Sequence, residues 1–348
     1  MKNLHYLTEE IVSRENQNAL LRYIGMLPNP DKILSRTGKT IDSYRDLKND
    51  PHLWACIQSR KSGLLSLEYE LEPNGASQSV VGNINRMFSE LDVQQIERDI
   101  LEAPLFGFQP LEIIWKLDGD AGKFIQVAQI VAKPQEWFLF DNEGNFRFRK
   151  AGEPDGVIPP PMKILCVQYE PSYMNPYGHS LLAKCYWHVT FKNGGLKFWV
   201  NFTEKYGMPI LVGQYTRGAS FEESQRLADE LAKLTEDAVI VAPSDIKLEL
   251  HEPVRSTSVE LYRELIKYCN AEISKAILSQ TLTTELDMGS YAASQTHYQI
   301  RREVILSDKR LVESTMNKLI RYIVELNFPG SPSPKFVIKM EKEIDEKG

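Results

Sequence analysis

Ser180-Leu181-Leu182-Ala183-Lys184-Cys185-Tyr186-Trp187-His188-Val189-Thr190-Phe191, then Lys192-Asn193-Gly194-Gly195, then Leu196-Lys197-Phe198-Trp199-Val200-Asn201-Phe202 is the stretch that decides the fold. Leu181, Leu182, Cys185, Tyr186 and Val189 recur at helical spacing, and the pattern resumes from Leu196 to Tyr206. Two mid-helix glycines cost about 1 kcal/mol each relative to alanine, so a kink or break is expected at Asn193-Gly194-Gly195. Gly207-Met208-Pro209 stops the helix. A β–α–β unit follows: a strand at 210–215, a helix from Phe221 to about Thr235, and strands at 238–242 and 246–250 around Pro243-Ser244-Asp245. Ser220 is the expected N-cap, with Glu223 in the capping-box position. A second helix is read over 257–279, with Leu261, Leu265, Ile266, Cys269, Ile273 and Ile277 inward. Helix, small α/β module, helix is the frame around which the rest is arranged.

Upstream, residues 1–45 read as a polar, irregular arm that packs on something else, with a turn at Pro28-Asn29-Pro30-Asp31. Asp50 caps a helix that opens on Pro51 and runs to about Ser66. Leu67, Tyr69 and Leu71 alternate with glutamates as a strand with one wet face. Two helices follow, over 80–91 and from Val93. Short β-branched or aromatic runs at 111–117, 124–132, 137–140, 146–148 and 164–169 read as strands, with hairpin turns at Asp118-Gly119-Asp120 and 142–145. Downstream, Thr281 to Met288 reads as a loop. A helix of roughly 55 Å then spans 290–327 at 1.5 Å per residue, with Ile300, Val304, Leu311, Val312, Thr315, Leu319, Ile320 and Ile323 at helical spacing. A strand at 335–340 ends the pattern. The fold class is α+β. Apolar stripes at 257–279 and 300–323 are expected to find partners in other subunits.

The chain has 348 residues, 42% hydrophobic and 25% charged, as globular proteins do. At roughly 150 residues per domain this suggests two domains, or one elongated chain with inserted modules. The net charge of −6 argues against a protein that grips nucleic acid by neutralising many phosphates. The four cysteines, at 56, 166, 185 and 269, form no CxxC pair and read as reduced, mostly buried thiols. No apolar run approaches the ~20 residues of a membrane helix, so a soluble chain made inside the cell is expected. Gly38-Lys39-Thr40 resembles the end of a phosphate loop, but Ile33 stands where that loop needs glycine. His251-Glu252-Pro253 lacks a second histidine, and Gly178-His179-Ser180 is no nucleophile elbow. No catalytic, cofactor-binding or metal-ligating residue is assigned and no cofactor is expected. A long helix pair with an inserted module suggests an assembly part.

Several stretches carry a resemblance: Asp50-Pro51-His52-Leu53 with Gln58-Ser59-Arg60-Lys61 and Leu67-Glu68-Tyr69; Pro176-Tyr177-Gly178 through Cys185-Tyr186-Trp187; Gly195-Leu196-Lys197-Phe198-Trp199; Glu204-Lys205-Tyr206-Gly207-Met208-Pro209; and 277–284 with Gly289-Ser290-Tyr291-Ala292-Ala293. In this order they resemble the Mu-like bacteriophage portal proteins. The resemblance implies a portal fold: an N-terminal wing at 1–176, a kinked stem helix at 177–207, a clip at 208–254, a second stem helix at 255–280, a channel loop at 281–288, and a long wing helix with C-terminal strand at 289–348. The crown beyond that strand would be short or missing. The resemblance also implies a structural protein of a phage, prophage or gene-transfer particle rather than an enzyme. It would be a ring of identical subunits, usually twelve, at one capsid vertex, assembled in the bacterial cytoplasm. Double-stranded DNA would pass through it without sequence preference. The large terminase subunit, head-completion or adaptor proteins, and capsid and scaffolding proteins would be its partners. On this chain, Thr283, Thr284, Glu285, Leu286, Asp287 and Met288 would face the DNA, and Glu222, Glu223, Asp229 and Glu230 would face the terminase from the clip. A mildly acidic chain suits a channel, because strong cationic contacts would hold a polyanion that must slide.

Two other readings stand beside this one. A head–tail adaptor would be smaller and would lack two helices flanking a module. A metal-dependent nuclease or hydrolase would use Glu285 and Asp287, but no third ligand or base accompanies them.

Overall fold

The computed structural model describes residues 26–118, 124–207, 211–216, 218–233, 239–246, 255–281 and 291–340. They fall into two compact units, one within residues 1–186 and 272–348, the other within residues 187–271. Each mixes helix and sheet, as expected for an α+β chain.

The first unit is built around a three-stranded antiparallel sheet. Its central strand is β3 (Phe108–Asp118), flanked by β4 (Phe124–Ala132) and β8 (Ile164–Gln168). Helix α3 (Pro51–Leu65) begins where the sequence places it: the Asp50 carboxylate accepts the Leu53 N–H at 2.9 Å, and Pro51 fills the first turn. Helices α4 (Gln78–Glu90) and α5 (Val93–Ile100) are capped likewise by Ser77 and Asp92. The strand β2 (Tyr69–Glu72) pairs antiparallel with β11 (Lys335–Ile338), so segments far apart in sequence meet in one ribbon. Tyr69 stacks on Phe336 at 4.6 Å, and Phe88 meets both rings.

The C-terminal half of α10 (Tyr291–Asn327) is the central helix of this core. Val312, Met316, Leu319, Ile320, Ile323 and Val324 are buried among residues of α4, α5, β3, β4 and β8. This corrects the expectation that the stripe at 300–323 seeks another subunit: its C-terminal part is covered within its own chain. The correction has a plain physical reason. Helical periodicity marks an apolar face but does not say what covers it.

Residues 26–47 are also not an irregular arm. β1 (Met26–Leu27) pairs antiparallel with β5 (Phe138–Asp141) at the edge of a four-stranded sheet, β1-β5-β6-β7, completed by β6 (Phe146–Lys150) and β7 (Glu153–Val157). Two short helices follow, α1 (Lys32–Thr37) and α2 (Asp42–Leu47). Asp31 of the expected turn is the cap of α1 and also accepts the Tyr44 hydroxyl at 2.6 Å. Leu27, Ile41, Tyr44 and Leu47 are buried, so the segment is core rather than arm. Strand β7 carried no alternating pattern, because Pro154 and Gly156 interrupt it. Helix α6 (Ala103–Phe106) completes this unit.

The second unit holds the β–α–β module. β9 (Leu211–Tyr215) and β10 (Val239–Pro243) are parallel neighbours, joined through α8 (Phe221–Ala232). Ser220 and Glu223 form the expected capping box, at 2.9 and 3.2 Å. Gly213 sits mid-strand because α8 lies on it. A Cβ there would meet Leu231 Cδ1 at 2.6 Å. The strand expected at 246–250 and the turn 118–120 lie largely outside the described residues.

Candidate assembly surfaces

Helices α7 (Leu181–Gly207) and α9 (Arg255–Leu278) meet within the second unit. His188 lies against Tyr268, the Lys192 ammonium donates to Asn270 Oδ1 at 2.9 Å, and Trp199 stacks on Tyr262. From Lys192–Asn270 through Gly195–Leu265 to Trp199–Tyr262 the numbers rise along α7 and fall along α9, so the pair is antiparallel. α7 runs unbroken through Asn193-Gly194-Gly195, against the expected interruption. Gly195 has a packing reason instead. Its ideal Cβ would lie 2.9 Å from Leu265 Cδ2, so a larger residue here would push that side chain aside. The helix-propensity cost of that glycine is about 1 kcal/mol.

This hairpin exposes apolar side chains in rows. On α7, Trp187, Phe191 and Phe198 are spaced four and seven residues apart, and Phe198 is 64% exposed. Trp187 and Phe191 stack at 5.6 Å. Gly194 falls in the same row, with open space above it. On α9, Leu261, Leu265 and Tyr268 repeat the four- and three-residue spacing, and Leu261 is 68% exposed. The expectation that Leu261 points inward is therefore overturned, and Leu265 is covered only in part, where it meets Gly195 of α7: the buried row of α9 is Cys269, Ile273, Ile277 and Leu278. Exposed aromatic and aliphatic rows on one hairpin are what an assembly surface presents.

The acidic residues of α8 are where the sequence puts them, at the surface. They do not act alike. Glu223 spends one carboxylate oxygen on the Ser220 N–H, whereas Glu222, Asp229 and Glu230 are exposed without that duty. Arg226 lies one turn from Glu222, so the face is of mixed sign. Phe221, at the start of the helix, is 77% exposed. Thr283, Thr284, Glu285, Leu286, Asp287 and Met288 lie outside the described residues.

Other groups that chemistry might have used are committed to packing. The fully buried Ser274 hydroxyl shares a 2.8 Å hydrogen bond with His52 Nε2 and lies 3.6 Å from Cys56 Sγ. Its burial denies a substrate access. Burial also pushes the Cys185 thiol up to about 12, with the neighbouring Cys56 and Asp50 adding to it. Gly38 is the left-handed cap ending α1, at φ 63°, not a phosphate cradle. Sequence reasoning missed the buried Arg60–Asp308 pair, two parallel bonds of 2.9 and 2.8 Å, with Arg60 also donating to the Ile277 carbonyl at 3.0 Å. Only the fold brings these three positions together. Among the described residues no helix is long and apolar enough to cross a membrane.

The family model for the portal protein of Mu bacteriophage matches residues 41–348. The Mu-like prophage FluMu protein gp29 of Haemophilus influenzae is 23% identical over 86% of this chain and 59% of its own length. The portal protein of Escherichia phage Mu is 25% identical over 80% of this chain and 56% of its own length. The chain thus spans little more than half the length of these relatives. Among solved structures, a chain of the neck of an empty GTA particle computed with C6 symmetry shares the fold at a TM-score of 0.54, with 11% identity, over 91% of this chain and 86% of that one. With its α/β unit, long C-terminal helix and helical hairpin carrying a β–α–β module, the chain belongs to the Mu bacteriophage portal protein family.

Proposed function

We propose that the chain is the subunit of a homo-oligomeric ring at one vertex of a Mu-like phage or prophage capsid, through which double-stranded DNA enters during packaging and leaves at ejection. The ring is a structural part and no chemistry is assigned to it. Family membership gives the reading its direction. The observation that carries it is the pair of exposed apolar rows on α7 and α9, Trp187-Phe191-Phe198 and Leu261-Leu265-Tyr268. Two different rows on one hairpin suit a head-to-tail contact between identical copies, which closes into a ring when the rotation closes.

In this reading residues 1–176 and 289–348 are the wing, 177–207 and 255–280 the stem, 208–254 the clip and 281–288 the channel loop. The clip docks the terminase and then the head-completion protein. The fold supports these limits through its continuous α7 and α9 and the parallel β9–β10 pair between them.

Light scattering and negative-stain imaging of the untagged full chain test the ring directly. A ring mass is expected across a range of salt, because an apolar contact is weakly screened. Phe198→Ser with Leu261→Ser should reduce the mass to small species while leaving the melting temperature within a few degrees, since both residues are exposed in the single chain. A wild-type chain that stays monomeric, or a double variant that assembles as the wild type does, refutes this interface.

A further inference from the structure

Helix α5 carries an anomaly in its buried face. Val93, Ile96 and Ile100 are apolar, and Glu97 lies in the same stripe, only 5% exposed. Its carboxylate makes no hydrogen bond or ion pair with any described residue. It lines an open recess of about 310 Å³, walled by Leu65, Leu67, Tyr69 and Val93, with Glu68 and Gln94 beside them. The nearby cation Lys61 is turned away, to the Arg98 carbonyl and the Glu102 carboxylate. The open recess lets water reach this carboxylate, but the burial of its surroundings still favours its neutral form or a cation partner.

We propose that the Glu97 recess receives the side chain of a lysine or arginine from a second copy of this chain. The inference rests on the ring reading above and names a contact within it. The walls match such a side chain part by part. Leu65, Leu67 and Val93 are apolar walls suited to an aliphatic stem, Tyr69 adds an aromatic wall, and the Glu97 carboxylate supplies the opposite charge. Glu68 adds a second negative charge beside the recess. In a closed ring every copy supplies one recess and one cation, so no carboxylate stays unpaired.

The electrostatics agree. Burial pushes the free Glu97 carboxyl up to about 7. Tyr69 and Glu68 are the titratable groups that line the recess with it, and burial first, then the Glu97 charge, hold the Tyr69 phenol above its ordinary value. A cation entering the recess requires the ionised form. Below pH 7 each recess must first lose a proton, so assembly weakens roughly tenfold per interface for each pH unit. Above pH 7 this contribution is constant.

The test compares the full-length wild type with Glu97→Gln and Glu97→Met, following ring mass by light scattering over the range from about pH 6 to about pH 8.5. The wild type should tighten as pH rises to about 7 and then level off. Both variants should lose that dependence and assemble about tenfold or more weakly at pH 8. Both should melt no lower than the wild-type monomer at pH 8, because each removes an unpaired buried charge. If either variant is folded and forms rings with wild-type affinity and wild-type pH profile, the recess takes no cation from a second copy and the proposal is overturned. A wild-type chain that never forms a ring overturns the ring reading and this contact with it, and is told apart by the wild-type mass alone.

Discussion

Gly107 and Gly178 face each other where β3 begins and the chain turns toward α7. Both have positive φ, 96° and 75°. Tyr169 N–H donates to the Gly107 carbonyl at 2.8 Å, and His179 N–H donates to the Tyr169 carbonyl at 2.9 Å. An ideal Cβ on Gly178 would lie 2.3 Å from the Gly107 oxygen and 2.4 Å from the Tyr169 oxygen. Backbone atoms cannot swing aside as a flexible side chain can, so Gly178→Ala should cost more than about 3 kcal/mol and lower the thermal midpoint sharply. Gly38→Ala is the control. It has the same sign of φ, 63°, but open space above it, and should cost only about 1 kcal/mol. Equal losses for the two would mean that φ alone, not the close backbone approach, fixes Gly178. Pro176-Tyr177-Gly178 is among the stretches that carry the family resemblance, yet nothing in the sequence names Gly107 as the partner. That pairing spans 71 positions and exists only in the fold.

At the scale of an element, α8 shows how local chemistry and surface chemistry divide one set of residues. The capping box was legible because its two members stand three residues apart, and their bonds form within the first turn. The acidic face was legible only as a composition. Glu223 is tied to the cap, which leaves Glu222, Asp229 and Glu230 to meet a basic partner. Changing those three to lysine while keeping Glu223 should weaken terminase binding about tenfold, measured on assembled rings, with ring mass unchanged. Binding that does not change would leave these residues as a solvated face. Glu223→Lys should instead destabilise the module by about 1 kcal/mol, because it removes the reciprocal bond to Ser220. The rows on α9 carry a related lesson. Leu261, Leu265, Cys269, Ile273 and Ile277 share one helical period, so the sequence read them as one inward face. The structure buries the last three, exposes Leu261 and covers Leu265 only in part. A period of 3.6 selects a side of the helix, and what lies against that side changes along its length.

For the whole molecule, the reading as a channel turns on residues 281–288. They hold three threonines, two leucines, two acids and one methionine, with no lysine or arginine. Their acids would repel phosphates, and their hydroxyls would make weak, replaceable contacts, as suits a surface past which DNA slides. Glu285→Lys with Asp287→Lys should change packaged DNA length or retention while ring assembly persists. If packaging and retention are both unaffected, and a cysteine at 285 reacts at the same rate in empty and DNA-filled particles, the loop does not face DNA.

The sequence alone determined the long helices and most of the strands, the caps at Asp50 and Ser220, the α+β class and the resemblance to the Mu-like portal proteins. These rest on patterns a few residues long, which local hydrogen bonding and side-chain spacing enforce wherever they occur. Tertiary structure alone decided that the last turns of α10 fill the core of the first unit, that residues 26–47 join it, and that α7 passes through two glycines without a break. It also decided that Arg60 meets Asp308 and that Glu97 stands without a partner in an apolar stripe. Each is a meeting of distant positions, or the lack of one, and a linear pattern carries no record of which surfaces the folded chain brings together.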